Sequence, residues 1–200
     1  MKRLILASLI AVAALCGAAN AFAFSISVDV PSQYTLNDRT VDTCKTCNKA
    51  KSDDQTLTDL SGFKVIVAGM HHIGVGYENY DVKGSGKSGG GSFDFRTNLQ
   101  FYDVVLDLPT HFVNFGLGAG TGQVNTSIMI PGAGTVPVAH SAGASQYFAS
   151  VGIALGEHFD IHAAYHVVHT DNQKLTNVGS GSDSLNLSGH TIMAGIRLAW

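Results

Sequence analysis

The chain ends in the ten residues TIMAGIRLAW (191–200), and their alternation decides the fold class. Every second side chain is apolar, up to Leu198 and Trp200, whereas the positions between them include a threonine, a glycine and Arg197. Successive side chains of a β-strand point to opposite faces of the sheet. The pattern therefore predicts a strand with one continuous apolar face.

The same period of two recurs in seven earlier segments of the chain. The first, FSISVDV (24–30), alternates without error. The others are 63–69, 73–82, 92–99, 113–120, 146–155 and 159–167, of which the first two are noisier. The sequence therefore predicts an all-β chain of eight strands.

The connections between these segments alternate in length. Three are tight (70–72, 108–111 and 156–158), and four are long and rich in Gly, Ser, Thr, Asn and Asp (31–62, 83–91, 124–143 and 170–186). A barrel that crosses an outer membrane has short turns at one end and long loops at the other. We therefore expect an eight-stranded antiparallel up-and-down transmembrane β-barrel.

The composition excludes several other classes of protein. Hydrophobic residues make up 45% of the chain, which is enough to bury a core and too many for a disordered tail. The net charge of −3 argues against a nucleic-acid partner. After the first 20 residues, no apolar run approaches the ~18 residues that a membrane-spanning helix needs.

Residues 1–23 have the layout of a secretory signal peptide. A positive start at residues 1–3 precedes an apolar run from Leu4 to Leu15, and small residues that suit cleavage follow. An uncut membrane anchor is the alternative, but the run is short for a span. Lipidation at Cys16 is disfavoured because the preceding residue is not small. The barrel domain is then 24–200, and export places it in an oxidising compartment.

The second face of the strands carries small residues and a few charges instead of the many Lys and Glu residues of a soluble surface. This composition favours a narrow lumen, although a secreted soluble β-barrel or sandwich that binds a ligand would show the same alternation. An eight-stranded barrel has room inside only for side chains, so buried charges must pair. We expect a packed lumen with a structural ion-pair network, and the alternative is a narrow channel for small solutes or ions. The expected network comprises Asp29, Lys64, Glu78, Asp94, Arg96, Asp160 and Arg197.

Aromatic residues lie toward the ends of the predicted strands, as in the interface girdles of membrane barrels. The set is Phe24, Phe63, Tyr77, Phe93, Phe112, Tyr147, Phe159 and Trp200. Their placement favours an exterior that faces outer-membrane lipid.

The last twelve residues, GHTIMAGIRLAW (189–200), resemble the C-terminal strand of bacterial outer-membrane barrels, and the overall layout is similar to the small eight-stranded barrels of the OmpA-domain, OmpX and OmpW type. The resemblance covers about 24–200. It implies an assembly signal at Ile196, Leu198 and Trp200 that the barrel-assembly machinery reads. It also implies a bacterial outer-membrane location with both termini in the periplasm.

The first long connection contains the pair Cys44 and Cys47. We expect a local disulfide that braces a surface loop, and metal binding or redox chemistry are the alternatives. No helical context, adjacent haem-type histidine or further ligand pair supports those alternatives. The sequence therefore predicts no metal and no cofactor.

No residue pair predicts catalysis. Lipid A deacylases among small outer-membrane barrels carry a His-x-Ser pair, and the nearest string here, His169-Thr170-Asp171, lacks the serine. A nucleophile needs a base within hydrogen-bond reach, so a lipid-modifying enzyme remains only an alternative. The expected role is structural or surface-interacting, with the long loops as a candidate surface for an extracellular ligand.

Overall fold

The computed structural model describes residues 24–37, 56–69, 72–88, 91–108, 112–130, 134–137, 141–156, 158–174 and 184–200. Within these ranges, no helix has the length and apolar character needed to cross a membrane.

Eight long strands close into one antiparallel barrel, as the sequence predicts, and the predicted fold class is confirmed. The barrel strands are β1 (Ser25–Leu36), β2 (Thr56–Ala68), β3 (Ile73–Ser88), β4 (Gly91–Leu108), β5 (Val113–Ile130), β7 (Ala142–Ala154), β8 (Phe159–Thr170) and β11 (Gly189–Ala199). Each barrel strand pairs with its neighbours in chain order, and β1 pairs with β11 to close the barrel. A short strand, β6 (Gly134–Pro137), pairs with β5, and β9 (Gln173–Lys174) pairs with β10 (Ser184–Leu185).

The first and last residues of the barrel, Phe24 and Trp200, meet at the end that carries the short turns. The backbone amides of Phe24 and Trp200 each donate a 2.9 Å hydrogen bond to the other residue's carbonyl. The two rings pack edge to face, with centroids 5.0 Å apart. From this end, β11 pairs with β1 over its whole length.

Several strands extend farther than the sequence predicts, so three of the expected loop boundaries are wrong. The predicted loops 31–62, 83–91 and 124–143 contain outer parts of β1, β2, β3 and β5, and β3, β4 and β5 are 16, 18 and 18 residues long. By contrast, β8 and β11 have 12 and 11 residues. We call the outer parts of β3, β4 and β5 the upper wall (79–88, 91–100 and 121–130).

The two faces of the barrel exchange polarity at one level. Below it, in the lower barrel near the short turns, large apolar side chains point outward and form what we call the apolar belt, whose members include Val75, Val104, Leu106, Tyr147, Val151, Ile153 and Leu155. Above it, in the upper barrel, apolar side chains point inward. On β4 the exchange falls between Phe101, which is fully buried, and Tyr102, which is 67% exposed. A row of outward aromatic rings (Phe63, Tyr77 and Tyr102, with centroids 6.1 and 5.4 Å apart) marks this level.

The upper barrel is filled by one apolar core to which side chains from all eight barrel strands contribute. Tyr80 packs against Tyr34 and Phe101, with ring centroids 6.0 and 6.3 Å apart. The Tyr34 hydroxyl donates a 2.5 Å hydrogen bond to the carbonyl of Leu187, which lies just before β11. Phe93 belongs to this core, so the expectation that it is part of an outer girdle is wrong.

Candidate functional site: the lumen and the upper wall

Lys64 of β2 lies in the lower lumen, where its side chain is fully buried. Its ammonium nitrogen is 3.1 Å from Asp103 Oδ2 and 3.4 Å from Glu78 Oε2. Gln146 joins the two carboxylates by donating hydrogen bonds from Nε2 to Glu78 (2.9 Å) and to Asp103 (2.8 Å). The ammonium charge therefore has two buried carboxylates beside it, as a buried charge requires.

Phe148 supplies a further contact to the same ammonium group. The Lys64 nitrogen lies 3.2 Å from the Phe148 ring centroid, in a cation–π geometry. His166 stacks on this ring with centroids 4.6 Å apart, and its Nδ1 is 3.2 Å from Gln146 Oε1. A Cβ at Gly118 would overlap the Phe148 ring, so a glycine on β5 makes the room that the ring occupies.

A second ionic cluster lies closer to the short turns. Arg197 of β11 contacts Asp160 at 2.5 Å and Asp107 at 2.6 Å. The Asn114 amide donates a 2.8 Å hydrogen bond to Asp160. Charge-assisted pairs of this kind are the stronger hydrogen bonds of proteins.

His162 connects this second cluster to β1. Its Nδ1 is 3.2 Å from Asp160, and its Nε2 contacts Asp29. The cluster lines a cavity of about 20 Å³, which is room for about one water molecule. The lower lumen thus holds two clusters of paired charges together with a small apolar cluster of Ile66, Val105 and Phe148.

Five of the seven charges expected in the lumen lie there, and two do not. Asp29, Lys64, Glu78, Asp160 and Arg197 face the lumen and fall into the two clusters.

The expectation for Asp94 and Arg96 is wrong, because both lie on the outside of the upper wall. The prediction assumed that one face of β4 is lumenal from end to end. Above the aromatic row, the outer face meets solvent and the inner face holds Phe95 and Leu99, so the charges point outward.

Sequence reasoning missed several lumen residues that complete the two clusters. They are Asp103, Asp107, Asn114 and Gln146. On β4, Asp103 and Asp107 are odd-numbered, like Phe101, and odd positions of this strand face inward throughout. The odd numbering that these two residues share with Phe101 was therefore the sequence signal that they face the lumen.

The outer face of the upper wall carries its own exposed ion pairs. Lys83 contacts Asp59 of β2 at 2.6 Å, and Arg96 contacts Asp81 at 2.6 Å. The hydrogen bond from Lys83 lowers the pKa of the Asp59 carboxyl. Partial burial acts to raise the pKa of Asp81, but the hydrogen bonds from Arg96 and Asn98 outweigh it, and the pKa is lowered.

Amide side chains extend this polar network along β3 and β4. Asn98 donates hydrogen bonds to Asn79 (2.8 Å) and Asp81 (2.9 Å), and Gln100 donates to Asn98 (2.8 Å). Asn79 donates in turn to the Tyr77 hydroxyl at 3.2 Å. The network therefore continues downward from the ion pairs to the aromatic row.

The structure also locates the C-terminal strand and the His169-Thr170 pair that the sequence analysis considered. The side chains proposed as an assembly signal, Ile196, Leu198 and Trp200, point outward and are 47%, 49% and 62% exposed. His169 is exposed whereas Thr170 is buried, so the two side chains lie on opposite faces of β8. Cys44 and Cys47 lie outside the described residues. Among the residues that are described, no group of three or more His, Cys, Asp or Glu side chains could hold a metal ion.

No family model matches the chain, and no curated protein matches it in sequence. Solved structures with a similar fold include Neisserial surface protein A, at 12% identity and a TM-score of 0.47, over 90% of this chain and 98% of that one. Another is Ail of Yersinia pestis in complex with the heparin analogue sucrose octasulfate, at 16% identity and a TM-score of 0.48, over 90% and 99%. The chain shares with these structures an all-β, closed antiparallel barrel fold.

Proposed function

We propose that the chain is an outer-membrane β-barrel with a sealed lumen that presents its upper wall to the cell exterior for surface interactions. The observation that carries the proposal is the exchange of polarity at the aromatic row. Below the row, Val75, Val104 and Ile153 are each more than 60% exposed on the outside while Lys64 and Glu78 are fully buried inside. Only an apolar surrounding makes that arrangement favourable, because the exterior would otherwise expose a continuous apolar surface to water.

The height of the apolar belt fits a membrane. On β7 it runs from Tyr147 to Leu155, both more than half exposed, which corresponds to roughly 27 Å along the strand at a rise of about 3.4 Å per residue. At the strand tilt of about 35–45° in such barrels, this length gives a height of roughly 19–22 Å. Transmembrane barrels carry an apolar band about 25 Å tall. Above Tyr147, the outward residue on the same strand is Ser145.

The orientation in this proposal is supported by the asymmetry of the two ends. Outer-membrane barrels have short periplasmic turns and longer extracellular connections. The proposed orientation therefore has Phe24 and Trp200 on the periplasmic side and the upper wall outside the cell. Residues 1–23 are then the removed signal peptide, the barrel-assembly machinery reads Ile196, Leu198 and Trp200, and Cys44 and Cys47 form an extracellular disulfide.

The lumen is a structural element in this proposal. The apolar core of the upper barrel occupies the path between the ionic clusters and the exterior. The charges of the lower lumen pair with one another, which is the arrangement of a stabilising network. The interaction surface is therefore the outer face of the upper wall, where amides and ion pairs offer both donors and acceptors to an extracellular partner.

Two measurements test the proposal. Purified barrel from an outer-membrane fraction should migrate differently on a gel before and after boiling, because a folded barrel resists the detergent until it is heated. A periplasmic protein with unchanged mobility would contradict the membrane location. In planar bilayers the folded protein should show no steady conductance, and large open channels would contradict the sealed lumen.

A further inference from the structure

The seam between β1 and β2 is much shorter than the other seams of the barrel. The two strands pair from Ser25–Ala68 only as far as Asp29–Lys64. Beyond that level β1 continues along β11 to Leu36, and β2 continues along β3 to Thr56. Within the described residues, no strand pairs with the edges that β1 and β2 turn toward each other above Asp29 and Lys64.

The sequence explains why the strands separate there. Gly62 has a φ of 154°, a conformation that other residues rarely adopt, and a Cβ at this position would collide with Tyr80. The register of β1 shifts between Pro31 and Gln33, and the register of β2 shifts between Leu57 and Asp59. Bulges of this kind bend a strand and end its pairing.

The separation leaves a cleft of about 190 Å³ that opens on the outside of the barrel. Polar side chains, including Gln33 and Asp59, stand at its rim. Its floor is apolar and consists of Tyr34, Leu57, Leu60 and Val82, which belong to the core of the upper barrel or pack against it.

The cleft also adjoins the apolar belt. Val30 and Phe63, the first residues above the last β1–β2 pair, are 54% and 44% exposed on the outside. These two side chains therefore extend the apolar surface of the belt to the lower end of the cleft. If the belt faces lipid, as the proposed function states, an acyl chain that lies along Val30 and Phe63 is next to the cleft.

We propose that this cleft binds an acyl chain of an amphiphile from the outer leaflet, with its polar head at the rim. The inference rests on the proposed function, because the acyl chain comes from the membrane that the belt occupies. On the two free edges, backbone N–H groups can donate hydrogen bonds to an ester, amide or hydroxyl of the head group, and backbone carbonyls can accept hydrogen bonds from an amide or hydroxyl. Ligand pockets for whole small molecules hold about 300–1,000 Å³, so the smaller cleft takes a segment of one chain.

An added peptide strand fits the cleft less well. Pro31 lacks an amide hydrogen, and proline on an edge opposes further strand pairing. The register shifts on both strands break the regular spacing that a ladder of backbone hydrogen bonds needs. An acyl chain needs no such spacing, because its contact with the floor is apolar and non-directional.

The test uses tryptophan quenching by a brominated-chain amphiphile in lipid bilayers. The chain has a single tryptophan, so Trp200→Phe gives a silent background to which one reporter is added. Gln33→Trp reports on the rim of the cleft, and Tyr147→Trp is the matched control on the belt at the far side of the barrel. Both reporters are recorded while the brominated amphiphile rises from a small fraction of the lipid to all of it.

We expect quenching at residue 33 to saturate at a low fraction, as if the amphiphile were enriched about tenfold over the bulk lipid, which corresponds to ~1.4 kcal/mol. Addition of the same amphiphile without bromine should reverse the quenching at residue 33. Quenching at residue 147 should follow the bulk fraction. Filling the floor with Leu57→Phe and Leu60→Phe should remove the excess at residue 33, whereas Leu106→Phe on the belt should not.

Two results would overturn the inference in different ways. Equal quenching at residues 33 and 147 at every fraction, or an excess that an extended peptide displaces and the unbrominated amphiphile does not, would exclude an acyl-chain site and leave the membrane location intact. A Tyr147→Trp reporter that stays unquenched in fully brominated lipid would refute the membrane location itself, and the acyl-chain site with it.

Discussion

The lower and upper halves of this barrel are built from the same strands but have opposite polarity. In the lower barrel the inside is ionic, with Lys64 at 0% exposure, and the outside is apolar, with Val104 at 62%. In the upper barrel the inside is apolar, with Phe101 at 0%, and the outside carries pairs such as Arg96–Asp81. The backbone is continuous through both halves, so the surroundings of each half decide which face takes the apolar residues.

The two halves should also differ in what holds them together. In the proposed membrane location, lipid offers little hydrophobic driving force to the lower barrel, so backbone hydrogen bonds and the buried ionic clusters carry its stability. The upper barrel is surrounded by water in the proposed orientation, so burial of its apolar core stabilises it as in a soluble protein. Exposed ion pairs on its outer face contribute little.

The largest expected effect comes from removing the positive charge of Lys64 in the lower lumen. Lys64→Met leaves Glu78 and Asp103 as neighbouring buried carboxylates, and breaking a buried pair in this way costs about 3–5 kcal/mol. Denaturant unfolding in lipid vesicles, followed by Trp200 fluorescence, measures the loss. On the upper wall, Lys83→Met removes the cation of the exposed pair with Asp59 and should leave the free energy of unfolding unchanged within error.

A triple variant separates charge from packing in this prediction. Combining Lys64→Met with Glu78→Gln and Asp103→Asn removes all three charges and should recover most of the stability, because neutral replacements for a buried ionic group are often tolerated. A triple variant that is less stable than Lys64→Met alone would contradict the charge argument.

The second-largest loss of stability is expected from a substitution in the core of the upper barrel. Leu99→Ala removes a side chain that is 1% exposed, and such substitutions in a core cost about 2–5 kcal/mol. Leu106→Ala on the belt of the same strand is the control, since lipid can fill the space left by a side chain that is 42% exposed. Equal losses for the two variants would mean that the halves do not differ in this respect. The same denaturant unfolding in vesicles measures both.

The exchange of polarity is also visible in the sequence, in a signal that a strand-by-strand interpretation overlooks. On β4 the apolar residues occupy odd positions up to Phe101 and, apart from Val105, even positions from Tyr102 onward. On β3 the phase changes between Tyr77 and Tyr80, and on β5 between Ala119 and Val124. Averaging over each strand hides this change, and Asp94 and Arg96 were therefore expected in the lumen.

The eight strands and their closure could be predicted because alternation and loop length depend on local sequence. The partners within the lumen could not be, because they depend on which residues face each other across the barrel. Gln146 reaches Glu78 and Asp103 from a strand that is adjacent to neither β3 nor β4. The cleft between β1 and β2 depends on where pairing stops, for which Gly62 and Pro31 are only weak signals.

A third prediction places one positive charge on each half of the outer surface. Val151→Arg puts it in the middle of the belt, where such a substitution in a membrane barrel costs about 2–4 kcal/mol. Asn125→Arg puts it on the exposed face of the upper wall, where water solvates it and the stability should not change. Folding yield and unfolding in vesicles measure both effects. Equal tolerance of the two variants would remove the evidence for a lipid-facing belt.

The smallest effect concerns acid and is confined to the upper wall. Because the pKa values of Asp59 and Asp81 are lowered in the folded protein, the pairs with Lys83 and Arg96 stabilise the wall above the usual aspartate pKa of about 3.9. That contribution is lost as the pH falls through the lowered pKa values, since the carboxyls then take up protons.

Hydrogen exchange of the backbone amides measures this loss. The protection of amides at the tops of β2, β3 and β4, expressed relative to an unstructured peptide at the same pH, should decrease in acid. In Asp59→Asn with Asp81→Asn, the protection should already be reduced at neutral pH and should no longer change over that range, while amides of β7 within the belt serve as the internal reference. If the wild-type wall and the β7 reference lost protection in parallel, the ion pairs would not be the cause.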